Sequence, residues 1–316
     1  MATATAYLAT DMGATSSLAG TVIAATPEQI ILSGFNSSVT YLGFGFTYSD
    51  TTVVSGTLTG FYQYVGGRLA QEAYGLSVPA PLAAAFIQSG NFAGLLPIAL
   101  SGNDKINGSP FSDVLYGYNG NDVINAGRGS NIVDGGNGTD ALILSRPSSS
   151  YKITSDGIST FVNSTDGLEM NTLRSIERYV FTDQTLATGP NASQGYRLYQ
   201  AAFDRTPDKA GLSYWVSQLD KGATLQTVAN SFIGSAEFAQ KFGAAPSNAQ
   251  LVAGLYQNVL HRQPDQAGAS FWISKLDSGM TKADVLISFS ESAENVGNTS
   301  VATAGGVWLN SNEFLL

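Results

Sequence analysis

The 316-residue sequence has no cysteine and one histidine, and only 12% of its residues are charged. The first absence excludes disulfide scaffolds and thiolate metal sites; the second, with no GxSxG present, leaves zincin, thiol and serine-hydrolase chemistry without signatures. Fifteen Lys and Arg stand against 24 Asp and Glu, a net charge of −9 and a pI near 4.5. That sign is wrong for a phosphate-binding surface, so no nucleic-acid partner is expected. No apolar run approaches the roughly 18 residues of a membrane helix, so no membrane span is expected. The first basic residue is Arg68, which leaves no basic n-region for a Sec-type signal. Hydrophobic residues nevertheless make up 43%, too many for a disordered chain. A folded, soluble protein of two or three domains follows.

Composition divides the chain into three. Residues 1–99 hold five charges, Asp11, Glu28, Asp50, Arg68 and Glu72, among Thr, Gly and aromatic residues. Ser38–Tyr48 and Thr51–Val65 read as strands, and Pro79–Leu100 as one or two short helices interrupted at Gly90 and Pro97. Residues 100–190 are rich in Gly, Asn and Asp. Residues 191–316 show helical apolar spacing, after a boundary near Thr188–Ser193 where Gly, Pro and Asn cluster.

The middle region contains a ladder. Asp104, Asp113, Asp122, Asn131 and Asp140 follow one another at intervals of nine, each trailed two positions later by Ile106, Leu115, Ile124, Val133 and Leu142. Two positions before come Gly102, Gly120, Gly129 and Gly138, with Phe111 in the odd slot. A Gly/Asn/Asp linker is the plain alternative, but a linker has no reason to keep acids and aliphatics in one phase. The pattern resembles the GGxGxDxUx nonapeptide of RTX calcium-binding proteins. Each position has a physical reason: Gly permits the left-handed turn, Asp offers hard anionic oxygen to a cation that takes six to eight such ligands, and the aliphatic residue points inward from a short strand.

The resemblance implies a parallel β-roll in which units two apart stack, placing Asp104, Asp122 and Asp140 on one edge and Asp113 with Asn131 on the other. Ca²⁺ would lie between turns, held by these side chains and by the turns containing Gly102, Gly120, Gly129 and Gly138. Asn131 lacks a charge and should make its site the weakest. Residues 141–187, ending in Ile176, Glu177, Phe181 and Asp183, look like the segment that closes such rolls. Asp166, Glu177 and Asp183 there either bind further calcium or, preferably, cap backbone N–H groups. RTX proteins leave the cell by type I secretion, read from an uncleaved C-terminal signal, and the ending Trp308-Leu-Asn-Ser-Asn-Glu-Phe-Leu-Leu316 resembles one. An extracellular or cell-surface location is therefore expected.

A second repeat has a period of 57: Tyr199/Tyr256, Arg205/Arg262, Pro207/Pro264, Asp208/Asp265, Gly211/Gly268, Trp215/Trp272, Gly222/Gly279, Phe232/Phe289, Ser235/Ser292 and Glu237/Glu294. Each copy reads as helix, R-x-PD turn, helix ending at Gly, then helix, and Thr281–Asp284 as a capping box. It resembles the domain of unknown function DUF4214 and, in pattern, the helical domain of phycobilisome linkers, which joins protein to protein. Its aromatic residues are read as core and its Arg–Asp pairs as structural. His261 is replaced by Asp204 in the other copy, a poor credential for catalysis.

The expected fold class is mainly β plus α: a parallel β-roll or β-solenoid followed by an all-α helical domain. No enzyme is expected. The chain reads as a calcium-stabilised secreted protein that partners with itself, as a homo-polymer or lattice in a surface layer, filament or matrix. The alternative is an adhesin for a cell-surface glycan or protein, with Tyr41, Phe44, Phe46, Tyr48, Phe61, Tyr62 and Tyr64 either stacking on sugar or, preferably, forming core. A secreted hydrolase is a third, lesser reading.

Overall fold

The structure is a computed structural model and describes residues 1–14 and 20–310. The chain divides into two compact units, the first over Met1–Thr182 and the second beginning at Asp183.

In the first unit, β1 (Thr3–Ala6) precedes an antiparallel meander of β2 (Thr21–Ala25), β3 (Gln29–Gly34), β4 (Ser37–Ser49), β5 (Thr52–Val65) and β6 (Arg68–Pro79). Helices α1 (Ala80–Gln88) and α2 (Phe92–Ala99) follow, turned at Gly90 (φ 72°). Pro97 lies within α2 and does not interrupt it. The chain then winds through β7 (Lys105–Asn107), β8 (Val114–Tyr116), β9 (Val123–Asn125), β10 (Gly129–Asp134) and β11 (Ala141–Ile143). β7, β9 and β11 pair in parallel in one sheet and β8 and β10 in the other, so alternate nonapeptides stack. Ile106, Leu115, Ile124, Val133 and Leu142 are each at most 1% exposed and fill the space between the sheets. Ile132, one residue out of phase, faces the other way and is 51% exposed.

Two features depart from a uniformly parallel roll. In the closing segment, β12 (Tyr151–Ser155), β13 (Thr160–Ser164) and β14 (Glu169–Arg174) pair antiparallel. The connections between them turn at Gly157 (φ 89°) and Gly167 (φ 74°), and links this short allow only antiparallel neighbours. Parallel order resumes as β14 joins β10 and β15 (Arg178–Val180) joins β11. The other departure is at the N-terminus. β1 lies parallel to β7, and Asp11 bridges Val114 in the opposite sheet. Residues 1–12 are therefore the roll's first coil, and the long antiparallel strands with α1 and α2 are an excursion between that coil and the next. β6 runs back antiparallel along β1, so the excursion extends the roll's own sheet.

The second unit opens with β16 (Gln184–Ala187) and continues through α3 (Gly189–Phe203), α4 (Lys209–Asp220), α5 (Leu225–Ile233) and α6 (Ala236–Phe242). The second copy comprises α7 (Asn248–Leu260), α8 (Gln266–Asp277), α9 (Lys282–Ser290) and α10 (Ala293–Thr303). Each copy has a fourth helix beyond the three expected, started by the Ser235 or Ser292 cap. β17 (Val307–Asn310) pairs antiparallel with β16, so the unit is not purely helical. Of the tail read as a secretion signal, Trp308–Asn310 belong to this strand, while residues 311–316 lie outside the described residues. Pro207 and Pro264 stand just before the N-caps Asp208 and Asp265 instead of inside the first turn. Trp215 and Trp272 are half-buried and pack on Phe232 and Phe289 at 5.0 and 5.3 Å; the same two rings carry Tyr199 and Tyr256 at 5.5 and 5.1 Å. Phenylalanine, not tryptophan, is thus the centre of each copy. Among the described residues no helix is long and apolar enough to cross a membrane.

Burial ranks two isoleucines on successive strands of the roll. Ile124→Ala, at 0% exposure, should cost about 2–5 kcal/mol, whereas Ile132→Ala should stay within about 0.5 kcal/mol. Chemical denaturation of both variants in calcium checks the inward phase, and equal losses would contradict it.

Candidate metal centre

The roll reverses along two edges. One gathers the turns ending at Asp104, Asp122 and Asp140, the other those ending at Asp113 and Asn131, and all five side chains are at most 3% exposed. Their first function is to join coils. Asp122 Oδ1 accepts from Asp104 N (2.8 Å), Asp140 Oδ1 from Asp122 N (2.7 Å) and Asn131 Oδ1 from Asp113 N (3.0 Å). At the start of the roll, Ala2 N donates to Asp104 Oδ1 and Thr10 N to Asp113 Oδ1 (2.7 Å). At its end, Asp140 N donates to Glu177 Oε2 (2.8 Å), so Glu177 takes the place of one more ladder acid as a cap. Asp166 is engaged differently: hydrogen bonds from Ser164 and from its ion-pair partner Arg146 hold its carboxyl at about 2.

The edges differ in what happens to the second side-chain atom. Asp113 Oδ2 accepts from Ser109 N (2.7 Å) and Ser109 Oγ (3.0 Å), and Asn131 Nδ2 donates to Asn171 Oδ1 (3.0 Å). This edge is closed by protein hydrogen bonds alone. Asp104 Oδ2, Asp122 Oδ2 and Asp140 Oδ2 are buried without any hydrogen-bond partner. A dry anionic oxygen without a donor is costly. Burial, followed by repulsion from Asp140 and Asp104, outweighs the bond from Asp104 N and pushes Asp122 up to about 7. Burial, with Glu177 and Asp134 adding repulsion, does the same to Asp140.

Glycine shapes the space around these oxygens. A Cβ on Gly117 would run into both Asp122 Oδ2 and the carbonyl oxygen of Gly135, and one on Gly135 would meet Asp140 Oδ2 and the carbonyl oxygen of Ser175. At each place a carboxylate oxygen and a backbone oxygen from the next coil converge on a glycine face, a hard-oxygen set suited to Ca²⁺. Asp104 lacks this cradle, because Ala99 stands in the matching slot. Among the described residues no three acidic or imidazole side chains gather round one point, so a cation here relies heavily on backbone oxygen. Gly102, Gly120 and Gly138 form a column in which a Cβ on Gly138 would strike the carbonyl of Gly120, and one on Gly120 that of Gly102; Gly129 lies against the Phe111 carbonyl. These four permit close stacking, while Gly117, Gly135 and Ser175 frame the oxygens. The Gly117 and Gly135 slots were visible in the repeat; Ser175, outside it, was not.

In the helical unit, Arg205 donates to Glu237 Oε1 (2.7 Å) and Tyr199 Oη (2.7 Å), and Tyr199 Oη donates to Asp208 Oδ2 (2.7 Å). The second copy repeats the Arg262–Glu294 pair at 2.9 Å. Asp204 (φ 51°) and His261 (φ 52°) are both left-handed helix C-caps, which gives the lone histidine a backbone role that its counterpart shares.

Two family models match these two regions. The description RTX calcium-binding nonapeptide repeat fits residues 98–133 and 107–142, and DUF4214 fits residues 191–228 and 229–299. The ladder is an RTX repeat array. No curated protein matches the chain. Among solved structures, the extracellular lipase LipA from Serratia marcescens is 26% identical over 25% of this chain and 13% of that one, with a TM-score of 0.24. The chain spans a small part of that lipase, and the likeness carries no argument about activity.

The raised carboxyls of the RTX array give stability a sign. Without a cation, folded Asp122 and Asp140 hold protons up to about pH 7 that the unfolded chain releases near pH 4, so stability is lost as pH rises through that window. The melting temperature in chelator should fall between about pH 4 and pH 7.5. Calcium should raise it at the upper end and leave it unchanged at the lower. A flat chelated profile contradicts this reading.

Proposed function

We propose that the protein is a secreted, calcium-stabilised structural component that assembles at the cell surface or in an extracellular matrix. Ca²⁺ is held along one edge of the roll by Asp122 and Asp140 with the backbone oxygens of Gly135 and Ser175, Asp104 ending the same column, while the Asp113/Asn131 edge is closed without metal. The observation that carries this reading is the set of three buried, unpartnered carboxylate oxygens on one edge against full hydrogen bonding on the other. Bound Ca²⁺ supplies the positive charge that favours the ionised form of Asp122 and Asp140, whose burial otherwise raises them. Where free calcium is scarce, as in the cytoplasm, the column repels itself and the roll is loosened; export by a type I system delivers it to calcium and completes it. Extracellular calcium modules have dissociation constants of about 10⁻⁴ to 10⁻³ M, which suits such a switch.

The helical unit is the assembly module in this account. Tyr214 and Phe271 occupy the same place in the two copies, are 51% and 52% exposed, and lie edge-on to Trp215 and Trp272. A chain that presents one aromatic face twice is suited to joining copies of itself. The adhesin reading has its own support: Tyr41, Phe46 and Phe61 are core, but Phe44 and Tyr64, also read as core, are 61% and 39% exposed, and Tyr74, which the sequence did not single out, is 43% exposed and donates to Glu72 Oε2 (3.1 Å) on the same sheet. Aromatic faces beside a carboxylate can stack on and hydrogen-bond a sugar.

Electron microscopy of purified protein, with calcium and with chelator, separates the two. Ordered polymers that need calcium and disappear in a Tyr214→Ser/Phe271→Ser variant of unchanged melting temperature are expected. A calcium-loaded monomer retained on a glycan array, and released by Tyr74→Ala, would favour adhesion. Asp122→Asn should lose about 1–3 kcal/mol of calcium-dependent stabilisation, the gain from one or two sites at ten-fold saturation, and Asp113→Asn should lose none of it.

A further inference from the structure

The roll contains three Asn-Gly pairs, Asn107–Gly108, Asn119–Gly120 and Asn137–Gly138. This dipeptide carries a reaction of its own. The main-chain nitrogen of the glycine attacks the side-chain carbonyl carbon of the asparagine: a new C–N bond closes a succinimide ring, the bond to the side-chain amide nitrogen breaks, and ammonia leaves. Water then opens the ring at one carbonyl or the other, giving aspartate or isoaspartate. Solvent is the only co-reactant. Glycine favours the attack because no Cβ crowds its nitrogen. The attacking N–H must first be released by any acceptor it holds, so a hydrogen bond from the glycine N–H protects the pair.

The roll protects the three unequally. Gly108 N donates to Asn125 O (2.8 Å), and Asn107 Nδ2 is held by Thr5 Oγ1 (3.2 Å). Both residues of this pair are half-buried. Gly120 N donates to Asn137 O (2.9 Å) in the coil that follows. Asn137–Gly138 lies in the last glycine turn of that edge, and no further nonapeptide follows to cover it. Gly138 N donates to none of the described residues, and both Asn137 and Gly138 are exposed. Stacking thus shields the N–H of each Asn-Gly turn except the final one.

We propose that Asn137 is a site of spontaneous self-modification, converted through a succinimide to aspartate and isoaspartate while Asn107 and Asn119 are preserved. The two products act differently on the roll. Aspartate keeps the main chain intact, and the Asn119 amide, which now accepts from Asn137 Nδ2 (2.8 Å), can turn round and donate instead. Isoaspartate inserts a methylene between the N–H and the C=O of residue 137. Those two groups tie this turn to the preceding coil, through Asn137 N to Tyr118 O (2.7 Å) and Gly120 N to Asn137 O, so the last coil is loosened as the protein ages.

Incubation of the calcium-loaded full chain at mildly alkaline pH, with peptide mapping by mass spectrometry at intervals, tests this against the urea-unfolded chain. In the folded protein Asn137 should convert about ten-fold faster than Asn107 or Asn119, the order of protection that one hydrogen bond gives, and in urea the three rates should converge. The melting temperature of aged protein should fall in step with its isoaspartate content, whereas Asn137→Asp should melt with the unaged protein. Conversion of Asn107 or Asn119 as fast as Asn137 in the folded protein, an Asn137 that stays intact while the unfolded chain converts, or isoaspartate without any fall in melting temperature would overturn the proposal. None of these outcomes depends on where calcium binds.

Discussion

The roll depends on one recurring bond, the backbone N–H at the end of a turn donating to a carboxylate or amide oxygen of the following coil. The bond fixes the spacing of stacked turns, and it draws the acid into a dry interior. A carboxylate has two oxygens and the ladder uses one. What becomes of the other decides the character of each edge. Where Ser109 or Asn171 supplies a partner, the edge is complete as a hydrogen-bonded structure. Where no donor reaches the second oxygen, as at Asp104, Asp122 and Asp140, the carboxylate is buried with half of its accepting capacity unused, and that missing donor, not a facing glycine, separates the two edges.

The phase of the ladder could be read because a nine-residue repeat must place every aliphatic residue on the same side of a short strand. Its partition into two edges was what the resemblance to the RTX roll implied, in which units two apart stack. Less legible was the first coil: Thr3–Ala6 and Thr10–Met12 contain no glycine turn or ladder acid of their own, and pair with strands about a hundred positions later. Only Asp104 and Asp113, as acceptors for Ala2 N and Thr10 N, reveal their place. The reversal at β12–β14 was hidden for a similar reason, since Tyr151–Thr154 reads as a strand in either direction. Ser109 was not singled out in the sequence, and its closing of the Asp113 edge shows only when its N–H and hydroxyl are seen beside Asp113 Oδ2.

In the helical unit the duplicate itself was the guide. The sequence paired Arg205 and Arg262 with Asp208 and Asp265, which lie at 3.3 and 3.8 Å, whereas their shorter bridges go to Glu237 and Glu294; it also set His261 beside Asp204, and the left-handed C-caps explain why a histidine and an aspartate interchange. What the pairing could not rank was depth. Tryptophan is larger, yet Phe232 and Phe289 sit at the centre and leave one flank of each tryptophan to Tyr214 or Phe271. That exposed flank is the part of the unit with most to offer another chain.

The central claim is that one edge of the roll holds calcium and the other does not. A crystal structure grown in calcium, with the ions located by anomalous scattering, tests it most directly. The account predicts peaks beside Asp122 Oδ2 and Asp140 Oδ2 and none between Asp113 and Asn131; peaks on both edges, or on neither, would contradict it.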